Sequence, residues 1–385
     1  MTLRRSIFWL HLGSGLTAGL IVAIMSITGI AIAFEAEILR LIDRDVRTIS
    51  IPVNAALLTF DQLDAEIAKQ KPQFKSTTIV VPREPDQAYE YRAGRDGSIY
   101  VNQYTGAVSD PESKAAHDVI HALEDWHRWL GMEGKGRATG KLITGIANFA
   151  FLFMCITGVY MWWPRSLSPR AWRPAVWFVG RLKGRARDFN WHNVFGCWSA
   201  LVLVVVVASG VVMSFAWAHA LVFRLAGEEA PQSRGPGMLS GPPIVVPTPS
   251  PDQAKLSRDE VLARVRGEFP TYESIGFDRS PPPKNPTDIA PLNVIVFEPA
   301  AFQTRGRIQL AIDPYRGDIL SKVGFEDRTP GTRARVWLRF LHTGEAFGFF
   351  GKVIATLASA ASLFLVYTGF ALSYRRFFPK KVVAV

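Results

Sequence analysis

Four stretches of this 385-residue chain contain no Asp, Glu, Lys or Arg: Ser6–Phe34, Leu142–Trp163, Trp191–Phe223 and Val353–Tyr374. A hydrocarbon core about 30 Å thick is crossed by roughly 20 apolar residues in a helix. Lipid offers no partner to a bare peptide group, so such stretches must satisfy their own backbone. The sequence therefore predicts four transmembrane helices. Arg4-Arg5 ahead of the first stretch and Ala31-Ile32-Ala33 near its end resemble a secretory signal. Its apolar run is too long for one, and it shares a pattern with the third stretch, so it is expected to remain as an anchor.

That pattern is built around histidine. His11 is followed 17 residues later by Thr28-Gly29 and 23 later by Phe34; His192 is followed at the same distances by Ser209-Gly210 and Phe215. In the second and fourth stretches, Gly140-Lys141 leads to Thr157-Gly158 as Gly351-Lys352 leads to Thr368-Gly369. The small residues of the (Ser/Thr)-Gly pairs are expected to let helices approach closely. Between the stretches, residues 99–108 match 310–319, each reading as strand, tight turn with glycine (Gly106, Gly317) and strand. A short helical segment precedes each, Asp61–Lys69 and Arg258–Glu268.

The fold class expected is membrane α-helical: a four-helix transmembrane bundle built from two repeated halves, each carrying a small α+β outer domain. The chain divides into helix one (1–34), a first outer domain with an interfacial helix (35–126), an outer histidine segment with helix two (127–164) and a basic linker (165–190). Helix three (191–223), a second outer domain (224–340) and a last segment with helix four and a basic tail (341–385) complete it. Pro/Gly-rich insertions, Pro231–Pro251 and Pro281–Pro286, are expected to be exposed.

The net charge of +11 is concentrated. Arg4 and Arg5, the linker bases Arg165, Arg170, Arg173, Arg181, Lys183, Arg185 and Arg187, and the tail bases Arg375, Arg376, Lys380 and Lys381 face one acid, Asp188. The rest of the chain is close to neutral, so the basic balance is a topology signal and not a nucleic-acid footprint. The positive-inside rule puts both termini and the linker in the cytoplasm and both long segments outside. Cys155 and Cys197, the only cysteines, both fall in apolar stretches, which excludes a disulfide framework in the outer segments and thiolate zinc. Residues 134–141 superficially suggest a phosphate loop, but the glycine spacing is wrong and Leu142 stands where Ser or Thr is needed.

With this topology His11 and His192 lie near the cytoplasmic ends of helices one and three, and His127 and His342 lie outside, shortly before helices two and four. An ionisable group inside a bilayer is a functional candidate by default. A b-type haem takes two axial imidazoles from facing helices. His11 with His192 would hold an inner haem and His127 with His342 an outer one. The 23 residues from His11 to Phe34 span about 34 Å, enough to stack both. His219 is a lesser candidate for the outer ligand. His117 and His121, four apart on an amphipathic segment, are expected to form a solvated face, with a metal pair as the alternative.

At this point the chain resembles the PepSY-associated transmembrane helix family. The residues that carry the resemblance are His11 with Thr28-Gly29, Asp125-Trp126-His127-Arg128-Trp129-Leu130-Gly131, Thr157-Gly158-Val159-Tyr160-Met161-Trp162-Trp163-Pro164, and Leu341-His342-Thr343-Gly344. The outer pieces around Gly106 and Gly317 look like PepSY domains. Length and helix plan are similar to the ferrioxamine-reductase type. That resemblance implies a multi-pass protein of the bacterial inner membrane with two b-type haems, held by His11, His192, His127 and His342, that reduces a ferric siderophore in the periplasm. The electrons would come from quinol or a cytoplasmic reductase, a separate partner. The alternative is a PepSY-type anchored protein that binds or regulates periplasmic peptides or proteases. A transporter, the third class, is disfavoured because the halves repeat in parallel and no acidic residue lies near the midplane.

Overall fold

A computed structural model describes every residue except 1, 95–96, 165, 167, 232–243, 251, 280–288, 300–305 and 380–385. Arg165, Lys380, Lys381 and most of the two insertions lie outside the described residues. The chain begins with α1 (Leu3–Ile32), α2 (Glu35–Ile42), α3 (Arg44–Arg47) and α4 (Phe60–Gln70). Strands β1 (Thr78–Pro82), β2 (Tyr89–Arg92), β3 (Ser98–Val101) and β4 (Val108–Ser109) follow, then α5 (Lys114–Trp129), α6 (Gly136–Trp162), α7 (Pro169–Val176), α8 (Gly184–Ser214) and α9 (Ala216–Leu225). Next come α10 (Arg258–Glu268), β5 (Ser274–Asp278), β6 (Leu292–Phe297), β7 (Arg307–Ile312) and β8 (Ile319–Val323), and last α11 (Pro330–Thr343) and α12 (Gly348–Phe377). Two compact units result. One comprises Met1–Glu35, Val119–Ala230 and Ala334–Val385; the other comprises Ala36–Asp118 and Pro231–Arg333.

In the first unit α1, α6, α8 and α12 are long and apolar enough to cross a membrane. They close a ring: α1 packs on α6 and α12, and α8 packs on the same two. α1 and α8 are therefore diagonal partners, as are α6 and α12. Side chains in the α1–α6 contact are small, with Ala18, Val22 and Ala147 buried against Ile21 and Phe151, so the backbones pack closely without a hydrophobic driving force between helices. Polar groups add to this, as between Ser26 Oγ on α1 and Ser362 Oγ on α12, 2.7 Å apart. At the end bearing the termini, fully buried Asp188 on α8 accepts from Arg187 and from Arg375 on α12. Trp162 and Trp198 donate their indole N–H to α7 carbonyls, tying that helix to the bundle. Cys155 and Cys197 are free thiols.

The second unit is one eight-stranded antiparallel sheet, in the order β4-β3-β2-β1-β5-β6-β7-β8. Two separate outer domains were the expectation. Instead, β1 and β5 pair antiparallel from Thr78↔Asp278 to Pro82↔Ser274, joining two four-stranded meanders edge to edge. Unpaired edge strands expose a row of N–H and C=O groups, and pairing the two edges removes both. Helices α4 and α10, each started by a capping box (Thr59 with Gln62, Ser257 with Glu260), put Phe60, Leu63, Ile67, Val261, Leu262 and Val265 into one core with the sheet. The helix N-termini are also joined, since Asp259 accepts from the Phe60 N–H and Arg258 bridges Asp64.

Leu63 is fully buried in that core. Leu63→Ala is expected to destabilise the unit by about 2–5 kcal/mol. A denaturant titration of the purified chain tests this, and an unshifted transition would remove Leu63 from the core. On β2, burial alone would raise the Glu90 carboxyl, but hydrogen bonds and charge from Arg92, with Arg47 and Ser98, hold it below its ordinary value. A depressed carboxylate contributes stability above its unfolded value and loses it as pH falls through the folded one. Glu90→Gln is therefore expected to flatten the acid limb of the stability curve, and an equally steep limb would show that Glu90 does not set it.

Candidate functional site

Four side chains of the bundle share one hydrogen-bond geometry. His11 Nδ1 on α1 meets Thr157 Oγ1 on α6 at 2.9 Å. His192 Nδ1 on α8 meets Thr368 Oγ1 on α12, also at 2.9 Å. At the other end of the bundle His127, in the last turn of α5, meets Thr28 Oγ1 of α1 at 3.1 Å and the Met25 carbonyl at 2.9 Å. His342, in the last turn of α11, meets Ser209 Oγ of α8 at 3.3 Å and the Val206 carbonyl at 2.9 Å.

The direction of these bonds follows from the acceptors. Thr157 donates to the Phe153 carbonyl, Thr368 to Phe364, Thr28 to Ile24 and Ser209 to Val206. A hydroxyl has one proton. The Met25 and Val206 carbonyls can only accept, so His127 and His342 carry the proton on Nδ1, and a backbone hydrogen bond to Leu365 sets the same tautomer at His192. His11 meets an equivalent threonine, and among the described residues each Nε2 has no protein partner. A hydrogen bond at one ring nitrogen that leaves the other for a metal is the usual outer-shell arrangement of a histidine ligand.

The glycine of each (Ser/Thr)-Gly pair lies under the same ring. A Cβ on Gly29 would stand 3.1 Å from His127 Cε1, and one on Gly210 3.1 Å from His342 Cε1. At Gly158 and Gly369 the corresponding distances to His11 and His192 are 3.5 and 3.9 Å, ordinary contact. The pairs, expected to serve helix approach, are histidine cradles. Gly140 and Gly351 have a different task. A Cβ on Gly140 would overlap the carbonyl of Trp129, two residues after His127, and a Cβ on Gly351 that of Gly344, two residues after His342. Both histidine-bearing turns therefore dock directly on the helix that follows, and Thr144 donates to the Arg128 carbonyl beside the first.

The rings of His127 and His342 stand 6.3 Å apart, centre to centre, with planes at 58°. An imidazole nitrogen bonds a metal at about 2 Å and lies about 1 Å from its ring centre, so two rings on opposite sides of one ion stand about 6 Å apart. His11 and His192 lie within electrostatic reach of each other. Among the described residues no three His, Cys, Asp or Glu side chains gather as a metal site. Two imidazoles leave a tetrahedral ion two ligands short. They are the complete protein share for haem, whose ring supplies the remaining donors. The donor set fits the group expected from the sequence.

The other histidines have separate tasks. His219 Nδ1 accepts from Arg335, and its ring packs on Phe223. His117 does not lie on a solvated face; its Nε2 is 2.7 Å from buried Asp43, which also accepts from the Tyr100 hydroxyl. His121 Nδ1 lies 3.8 Å from Glu124, so each of the two histidines has its own acidic neighbour. Glu35, just past α1, was not singled out in the sequence. Burial and the charges of Glu124 and Glu345 raise its carboxyl against the opposing pull of His121 and Arg128.

A family profile, PepSY-associated TM region, matches residues 8–376. The chain belongs to this family. No curated protein matches it at a significant level. The match spans all four histidines, their four cradles and both units, so the family covers the whole arrangement and not the membrane helices alone.

Gly140→Ala and Gly351→Ala are each expected to push a histidine-bearing turn off its helix. The measurement is a thermal melt in detergent: a lowered midpoint in both variants is expected, and midpoints equal to the parent's would show that the turns do not need these glycines.

Proposed function

We propose that the chain is an inner-membrane di-haem b protein that carries electrons from the cytoplasmic side or the quinol pool to a periplasmic ferric chelate, a ferric siderophore, and so releases iron as Fe(II). One observation carries this reading: four imidazoles, in two pairs on diagonal sides of the bundle, each with Nδ1 tied to a neighbouring helix and Nε2 without a protein partner among the described residues. His11 and His192 would hold one haem, and His127 and His342 the other. A haem with two imidazole ligands supplies a one-electron couple whose potential follows ligand identity and burial.

The residues of the chain have a positioning task. Thr157, Thr368, Thr28 and Ser209 fix ring orientation and, as acceptors, raise the basicity of Nε2. The 14 residues from His11 to Met25, the carbonyl that holds His127, separate the two levels by about 21 Å along α1. No side chain is asked to act as nucleophile or acid, since the cofactor carries the chemistry. The basic residues at the termini and linker support an orientation with His11 and His192 at the cytoplasmic face. Matched spacing around the four histidines supports two repeated halves. The siderophore as acceptor rests on the resemblance in length and helix plan.

An absorption spectrum of the detergent-purified chain tests the reading. A Soret band, sharp α bands on reduction with dithionite and two haems per chain are expected. His192→Ala is expected to leave about one haem per chain and His192→Ala with His342→Ala none. Mixing the reduced protein with a ferric hydroxamate should reoxidise it. A colourless preparation from haem-sufficient cells would end the conduit reading.

A further inference from the structure

α6 carries an amide, Asn148, that neither the pairs nor their cradles use. It is 7 % exposed and lies in the apolar part of a membrane-crossing helix. Its Nδ2 donates to the Val207 carbonyl of α8 at 2.9 Å. Val207 adjoins Val206, whose carbonyl accepts from His342. The space above Gly210 brings the two groups together: a Cβ there would stand 2.8 Å from Asn148 Nδ2 and 3.1 Å from His342 Cε1. An amide inside a bilayer is costly and tends to mark function. Helix packing alone does not ask for one, because neighbouring contacts in this bundle are made by alanine and serine.

We propose that Asn148 is a positioning residue for the His127–His342 station. Its amide holds α6 to α8 at the residue beside the His342 acceptor. It thereby fixes the depth of the α8 carbonyls and places an oriented dipole beside the His342 ring. An oriented dipole next to a buried redox centre changes its potential, as hydrogen bonds and burial do. Asn148 stands nine residues from Thr157, about 13 Å along α6, so it lies beside one station and not the other. The effect is therefore confined to one station. This inference rests on the proposed haem reading.

The experiment is a potentiometric titration of the purified full-length protein, followed by visible and low-temperature EPR spectra, for the parent, Asn148→Leu and Asn148→Ser. His192→Ala serves as the reference that keeps only the outer component. In Asn148→Leu the ratio of reduced to oxidised outer component at a fixed ambient potential is expected to change about five-fold, the worth of one hydrogen bond. Its EPR signal should shift, while the inner component titrates as in the parent and both haems stay bound. Asn148→Ser, which keeps a donor, should lie between. An outer component that titrates as in the parent in both variants overturns the inference. So does an equal shift of both components, which would mark a general packing defect. A parent without haem ends the underlying reading instead, and a Leu variant that fails to fold leaves the Ser variant to decide.

Discussion

A hydroxyl that has already given away its proton governs the bundle. Thr28, Thr157, Ser209 and Thr368 each lie within hydrogen-bond reach of a carbonyl three or four residues back in their own helix, a geometry that leaves each oxygen to accept from its histidine. This makes the choice of residue at these buried positions strict. Valine would keep the shape and lose the acceptor; a residue with a free donor would permit either tautomer. Each such bond is worth only about 0.6–2 kcal/mol in a membrane. Its larger consequence is directional, because it determines which nitrogen of the ring remains bare.

The same helix supplies a histidine to one station and a hydroxyl to the other. α1 offers His11 near one end and Thr28 near the other, and α8 offers His192 and Ser209. The 17-residue spacing from histidine to hydroxyl, about 25 Å along each helix, therefore sets how far apart the two stations stand. A change of register in α1 moves both stations together, and the diagonal placement of α1 and α8 keeps the two spacings facing each other. Depth is encoded in chain length, and lateral position in the close approach that small residues permit.

Much of this was legible in the residues. The apolar runs marked four membrane-crossing helices, although the third run, Trp191–Phe223, breaks at Phe215 into α8 and α9, and matched spacing singled out His11, His192, His127 and His342 together with every Ser/Thr-Gly pair. What was not legible was pairing across helices. Thr28 reads as part of the His11 segment, yet its partner is His127, 99 positions away, and periodicity along one helix carries no information about which neighbour will face it. The glycines were misread for the same reason: Gly29 and Gly210 look like packing residues until the imidazole above them is seen. In the sheet, the matched pieces around Gly106 and Gly317 do not reach β1 or β5, and nothing in the residues announces their pairing, because edge pairing depends on backbone groups that every sequence shares. Asn148 has no periodic companion in the other half, where Ser359 stands at the matching distance from Gly351 and Lys352.

The two stations are not built alike, and the difference has a physical reason. His11 and His192 belong to the membrane-crossing helices themselves, so a regular backbone sets their height. His127 and His342 sit at the ends of α5 and α11, and their height depends on a turn that leaves the helix through left-handed backbone, at Leu130 and Gly131 in one case and Gly344 in the other. Such turns would swing freely without an anchor. Gly140 and Gly351 remove that freedom by admitting the turn carbonyl against the following helix, and the Met25 and Val206 carbonyls add a second acceptor to each ring. Under the proposed reading, the station nearer the acceptor is the one assembled from docked parts. Its environment can then be adjusted through residues such as Asn148 without changing the height of the inner pair.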